Sequence, residues 1–366
     1  MIGVQGQIER ASFENLNGWT TANLDMSLAA FRRSAEEILS TGHGFNRTAE
    51  FSGLREDWVP TCEAALIARD AHSFFETNFA PFKIHDDKRP EGLFTGYYEP
   101  LAKGSRTRSE RYTVPIYRRP PELVSFPVEI EAAHGFRYGQ LMNGSPAPFQ
   151  TRRQIEDGAL DGRGLEICWL DNWTDAFFIH IQGQGRIAMD DETTLRLAFA
   201  AKNGQPYSSI GAALLAKGHG TPQTMSMQFL RQWIEENPEA GRELMWQNNS
   251  YIFFREISVD DPSLGGLGAA QVNLTPLRSL AVDRHYWMFG TPFWLETMTP
   301  PEADGGAKPF SNLMIGQDTG TAIRGLLRGD VYWGWGETAI TNAGHMKSSG
   351  TMMALLPHAV ARRLGL

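Results

Sequence analysis

The chain has 366 residues, of which 42% are hydrophobic, 11% aromatic and 21% charged, with 34 Lys and Arg against 42 Asp and Glu for a net charge of −8. This excludes intrinsic disorder as the main state and allows about two domains with cores that need no disulfide staples. It also excludes a general basic field for nucleic acid or anionic lipid, and no run approaches the ~20 apolar residues of a membrane span.

The first thirty residues lack the charged start, apolar run and small-residue cleavage site of a secretory signal, so the chain reads as cytoplasmic or as the mature part of an exported protein. Leu24, Leu28, Phe31, Ile38 and Leu39 recur near helical spacing and predict a helix that Gly42 ends. A second helix is predicted over 61–79, with Cys62, Leu66, Ile67, Phe74 and Phe75 turned to a core and Glu63, Arg69 and Asp70 to solvent. After Pro90 the texture becomes β-like: 93–98 and 114–117 read as strands, and 118–164 as loop-rich. A strand is predicted over 173–181, then helices over 193–202, 208–217 with Ser208 as cap, 226–236 with Ser226 as cap, and 238–246 after Asn237-Pro238. Short strands return at 251–257, 269–274, 293–297, 313–317, 331–335 and 351–355, a series that favours a barrel or sandwich.

Several motifs carry little weight. The run from Ile181 to Ala188 matches GxGxxA, but Asp190, Asp191 and Glu192 stand where a pyrophosphate would sit, so a turn with close backbone approach is favoured. Asp318-Thr319-Gly320 is half of an aspartic-protease dyad with no second half in the chain. The nine histidines form no HExxH or HxH pair, so no metal site is expected, and Cys62 and Cys168 read as two buried thiols rather than a disulfide. What remains is a density of acids, amides and aromatics among glycines: Thr95 to Glu99, Gln182 to Gln184, Lys202 to Gln205, Asp318 to Gly320 and Asp330 to Gly336. Sugars present C–H faces to aromatic rings and hydroxyls to donors and acceptors, so the mixture suits a polysaccharide groove.

At these motifs the sequence resembles the membrane-bound lytic transglycosylase A family of peptidoglycan-cleaving enzymes, with its C-terminal aspartate-containing 3D segment. The agreement runs through Phe94-Thr95-Gly96-Tyr97-Tyr98, Asp175, Ile181-Gln182-Gly183, Lys202-Asn203-Gly204 and Met225-Ser226-Met227-Gln228. It then continues through Asn248, Asp318, Gly320, Asp330, Tyr332 and Ala343-Gly344-His345. The resemblance implies a mainly β fold with helices (α+β). A double-psi β-barrel domain, 1–101 plus 248–366, is interrupted by a smaller β-rich domain, 102–247, with glycan in the groove between them. It further implies no cofactor, peptidoglycan strands as substrate, cell-wall synthesis or hydrolysis enzymes as partners, and a periplasmic location with outer-membrane association. One departure is Gln184, where the family's QGSG motif has serine.

By the same resemblance Asp330 is the catalytic aspartate and Asp318 the supporting one, with Thr95, Tyr97, Gln182, Lys202, Ser226 and Gln228 in contact with glycan. Cleavage of a β-1,4 bond needs a proton on the leaving oxygen and stabilisation of an oxocarbenium-like transition state. One carboxyl suffices if it donates that proton and then accepts one from the muramic acid C6 hydroxyl, whose attack on C1 gives a 1,6-anhydro product. Such an Asp must be held well above its ordinary pKa, by burial or by Asp318, which can equally be a structural carboxylate in its Gly turn. The alternatives are an inverting hydrolase with Asp318 or Glu337 as base, and a non-catalytic glycan-binding protein. Ser226 reads equally well as a helix cap.

Overall fold

In the computed structural model, which describes residues 8–86, 91–222, 224–259, 261–301 and 305–366, the chain divides into two units, Met1–Tyr98 with Asp261–Leu366, and Glu99–Asp260. It is mixed α and β, with a sheet at the centre of each unit.

In the first unit six strands close on themselves. Their order round the ring is Lys347–Pro357, Pro292–Met298, Pro309–Asp318, Ser279–Val282, Arg328–Trp335 and Gly92–Glu99, and the last pairs back onto the first. Closure removes the open edges through which such apolar strands would aggregate. The long strand divides its partners: Lys347 to Gly350 pair with Thr95 to Gly92, while Met353 to Pro357 pair with Lys83 to Phe79 outside the ring. Helices Asp25–Ser40, Arg55–Ile67 and Ala71–Asn78 join the same core. There Phe31, Phe74, Phe75 and Phe79 pack with ring centroids 5.0–6.1 Å apart. Each such buried ring contributes on the order of 2–3 kcal/mol.

The predicted helix over 61–79 is two helices. The Asp70 side chain accepts from Ser73 N at 2.7 Å and starts the second of them, so the apolar spacing does not run through the break. Leu66 and Ile67, expected in the core, are 44% and 82% exposed at the end of the first helix. The predicted strand over 269–274 is instead a set of turns, with Gln271 at φ 62° and an isolated bridge between Leu267 and Asn273. The strand Ser279–Val282 was not predicted; four residues are too short to show a period.

The second unit is built on a six-stranded sheet in the order Ile252–Ile257, Thr194–Lys202, Gln184–Met189, Leu101–Ser105, Glu166–Leu170, Val114–Tyr117. A three-stranded sheet, Val124–Ser125 with Tyr138–Met142 and Ser145–Ala147, lies in the stretch expected to be loop-rich. Helices Ile210–Ala216, Met227–Glu236 and Pro238–Met245 gather round Phe177.

Two expectations here are reversed. Trp173–Gln182, predicted as a strand, is a helix: the Asn172 side chain accepts from Asp175 N at 2.7 Å, and Gly183 at φ 72° ends it. Its apolar run is buried nearly all round, which hides the period. Thr194–Lys202, predicted as a helix, is an inner strand bonded on both sides, and inner strands carry apolar residues on both faces without alternation. The GxGxxA match therefore follows a helix and opens a strand, the reverse of the order a dinucleotide fold requires. The cap of Ile210–Ala216 is Ser209, whose hydroxyl accepts from Ala212 N, not Ser208. Ser226 does cap Met227–Glu236.

Candidate active site

Ala281 organises the carboxylates of the first unit. It is the register partner of Asp318 on the parallel neighbouring strand and of Asp330 on the antiparallel one, next to a register irregularity at Leu280. Directly opposed residues on adjacent strands point to the same face. Asp318, Ala281 and Asp330 thus form a row, with about 10 Å between the outer Cα atoms and a single methyl in the middle.

Asp330 sits on Arg328–Trp335, where the two-residue period puts Arg328 and Tyr332 on its own face. Thr95 Oγ1 donates to Asp330 Oδ1 at 2.5 Å, and Arg328 Nη2 donates to Thr95 Oγ1 at 2.7 Å. Burial pushes the Asp330 carboxyl above the ordinary Asp value, against the Arg328 charge and the Thr95 hydrogen bond, which favour its ionised form.

Asp318 is held differently. Its Oδ1 accepts from Ala269 N and Thr319 N, both at 2.9 Å, and the Thr319 hydroxyl donates to Val282 O at 2.8 Å. Burial raises Asp318 to about 6 in spite of these bonds, and the Asp330 charge adds to the rise. Both carboxylates are half-buried.

Tyr97 and Tyr332 form one wall, with ring centroids 5.2 Å apart. Both are buried in a small cluster with Leu274, Ala281 and Ile323. Burial, the Asp318 charge, a hydrogen-bonding approach to Asp318 and the Asp330 charge together push the Tyr97 hydroxyl well above the ordinary phenol value.

Thr95, Tyr97, Asp318 and Asp330 are thus brought together within the first unit. Gln182, Lys202, Ser226 and Gln228 belong to the second. Gln182, the last residue of its helix, directs its amide to Met227 Sδ at 3.6 Å, beside Ser226 and Gln228. Ser226 Oγ accepts from Phe229 N at 3.1 Å, so the cap is real. Lys202 ends its strand opposite Ile252 and is half-buried. Its neighbours are structural: buried Asn203 donates to Gln150 O and Asn249 O, both at 2.8 Å, and accepts from Tyr251 N at 2.9 Å. Gly204, at φ 77°, would place a Cβ 2.0 Å from Tyr138 O.

Arg328, Ala281 and Ala269 were not singled out from sequence. Only Arg328 left a signal, a cation two residues before Asp330 on one strand face. Glu337, the alternative base, is exposed at the start of the helix Glu337–His345. Among the described residues no group of three or more His, Cys, Asp or Glu could hold a metal ion. Cys62 and Cys168 are free and buried, with thiols pushed up to about 12 by burial.

Two family models match the chain. Residues 93–255 match the MltA specific insert domain and residues 278–356 the 3D domain. A membrane-bound lytic murein transglycosylase A of Vibrio cholerae is 34% identical over 274 residues, which cover 74% of this chain and 66% of that protein. The chain therefore spans just under two thirds of that relative. The crystal structure of a membrane-bound lytic murein transglycosylase from Agrobacterium tumefaciens superposes with a TM-score of 0.85 and 36% identity, covering 98% of this chain and 99% of that one. Escherichia coli MltA with bound chitohexaose gives a TM-score of 0.66 at 26% identity, with 90% of each chain covered.

Proposed function

The chain belongs to the membrane-bound lytic murein transglycosylase A family, and from that premise we propose that it cleaves the bond between N-acetylmuramic acid and N-acetylglucosamine in peptidoglycan, leaving a 1,6-anhydro end. The observation that carries this reading is the Asp330 carboxyl, held above its ordinary pKa by burial and bonded on one oxygen. A carboxyl kept protonated closer to neutrality can donate to the glycosidic oxygen, and its carboxylate then takes the proton from the C6 hydroxyl. Burial is the leading cause of the shift at Asp330.

Asp318 is read as the structural carboxylate of the pair. One of its oxygens already accepts two backbone N–H bonds, which suits holding the Ala269 and Thr319 turns and not activating a water. The same bonding gives little support to an inverting hydrolase with Asp318 as base. Tyr97, Gln182, Lys202, Ser226 and Gln228 are proposed glycan contacts through ring and polar groups. The six-strand ring supports a double-psi barrel as its finer description. A peptidoglycan substrate puts the site of action in the periplasm, with outer-membrane association and cell-wall enzymes as partners; no described helix is long and apolar enough to cross a membrane.

The test is digestion of purified sacculi followed by mass analysis of the muropeptides. Anhydro ends without reducing ends are expected, and their absence from Asp330→Asn digests. Reducing ends from the wild-type protein would overturn the anhydro mechanism.

A further inference from the structure

Arg328, Thr95 and Asp330 form a chain of hydrogen bonds with a forced direction. A guanidinium only donates, so the bond from Arg328 Nη2 at 2.7 Å occupies a lone pair of the Thr95 hydroxyl. The single hydroxyl hydrogen of Thr95 is then directed to Asp330 Oδ1, 2.5 Å away. Arg328 cannot swing out of this arrangement. It is 8% exposed, and its Nη1 donates to Leu93 O at 3.3 Å and to Gly329 O.

We propose that Arg328 and Thr95 are positioning residues that keep Oδ1 of Asp330 an acceptor throughout turnover, so that the working proton leaves from and returns to Oδ2. This rests on the reading of Asp330 as the acid and base of the proposed reaction. In the first step the Oδ2 proton passes to the glycosidic oxygen as the C1–O bond breaks. In the second the C6 oxygen bonds to C1 and its proton passes to Oδ2, which restores the acid. Oδ1 meets no proton of its own in either step, and the carboxylate formed between them is stabilised by the Thr95 bond and the Arg328 charge. Thr95 thereby differs from the glycan contact inferred from the family resemblance, since its hydroxyl is engaged on both sides.

Among the described residues, the charged and titratable groups facing Asp330 are few. Arg328 and Tyr332 share its strand, Tyr97 comes from the Thr95 strand, and Asp318 lies beyond Ala281. On the far side of the Thr95 strand, Lys347 is the register partner of Thr95 and is exposed. Of these, Arg328 is the cation acting on Asp330.

The experiment is steady-state cleavage of soluble glycan strands across pH by Thr95→Val, Thr95→Ser, Arg328→Lys, the double variant Thr95→Val with Arg328→Lys, and Asp330→Asn. Thr95→Val is expected to lower kcat about tenfold to a hundredfold, the range a displaced catalytic group produces, with KM within about twofold. Its alkaline limb moves to higher pH, because the carboxylate has lost a stabilising donor and keeps its proton longer. Thr95→Ser restores both. Arg328→Lys lowers kcat alone but adds nothing to Thr95→Val, because the two act through one chain. A raised KM with unchanged pH profile in Thr95→Val makes Thr95 a glycan contact and overturns the proposal. So do additive losses in the double variant. Should Arg328→Lys fail to fold, the Thr95 pair decides alone, as it leaves the backbone bonds of Arg328 intact. Full activity in Asp330→Asn is a separate outcome that removes the reading of Asp330 itself.

Discussion

Gly265 lies against Tyr332 so closely that a Cβ on residue 265 would sit 2.1 Å from the Tyr332 hydroxyl oxygen. Tyr332 is fully buried and packs at a tilt against Tyr97, which limits how far it can retreat. Gly265→Ala is therefore expected to displace the Tyr332 ring and with it the wall beside Asp330. Overpacking of this kind costs about 1–3 kcal/mol. Thermal unfolding should show a lower Tm, and sacculus cleavage should fall with it. Gly305→Ala is the control, since a Cβ there meets nothing within 4 Å. An unchanged Tm in Gly265→Ala would mean that the ring moves freely.

The two thiols give a second check. Cys62 and Cys168 are both fully buried and both raised to about 12, so almost no thiolate exists at pH 8 and none is accessible. Native protein is expected to be inert to a disulfide reagent at that pH, and denatured protein to titrate two thiols without prior reduction. A single titrated thiol, or none, would point to a disulfide or other modification.

How far the sequence could be read is clearest at particular places. The helix Asp25–Ser40 was legible because one face is apolar and the other wet, and the capped starts at Ser226 and Pro238 carried local chemistry that survives folding. Trp173–Gln182 and Thr194–Lys202 were exchanged because burial follows no clear period in either: the helix is buried on nearly every side, and the inner strand buries Leu195 to Ala198 in succession. In the site, the family motifs marked Asp330 and Asp318, but nothing local in the chain tells that Ala281 is the register partner of both. Register between strands distant in sequence is a tertiary fact. Arg328 was visible only as a cation two residues from an acid, a pattern too common on solvated strands to single out.

Within the Lys202-Asn203-Gly204 run, structural and binding roles separate by residue. Asn203 is fully buried and satisfies two carbonyls and an N–H. Asn203→Ala takes this partner from Gln150 O and Tyr251 N, while Asn249 O keeps its bond from Arg152 N, and each buried orphan costs about 1–3 kcal/mol. Chemical denaturation should show a loss of at least about 2 kcal/mol in the unit that contains it, with binding lost only through unfolding. Lys202→Ala is expected to do the opposite, leaving the unfolding curve in place while raising KM for glycan. Identical stability losses in the two variants would remove Lys202 from the proposed contacts.

Asp318 makes a prediction whose sign is fixed by its pKa. An unfolded Asp titrates near 3.8, and in the folded chain burial carries the group to about 6. Below the lower value both states are protonated and the group contributes nothing to pH dependence. As pH rises from about 4 to about 6 the unfolded chain releases its proton first, so the folded state loses stability relative to it. Above about 6 the loss is complete, at most about 3 kcal/mol for a shift of roughly two units, and less in so far as the carboxylate keeps part of its exposure. Asparagine stays neutral at every pH, and its side-chain oxygen can still accept from Ala269 N and Thr319 N, the two bonds that hold the turn. Asp318→Asn is thus expected to match the wild type in urea denaturation near pH 4 and to exceed it at pH 7.5. If Asp318 is a structural carboxylate, the variant also retains cleavage of sacculi; if it is a base, cleavage disappears while the stability gain remains. A variant less stable than the wild type at pH 7.5 would show that ionised Asp318 stabilises the fold, and would reverse the account of its burial.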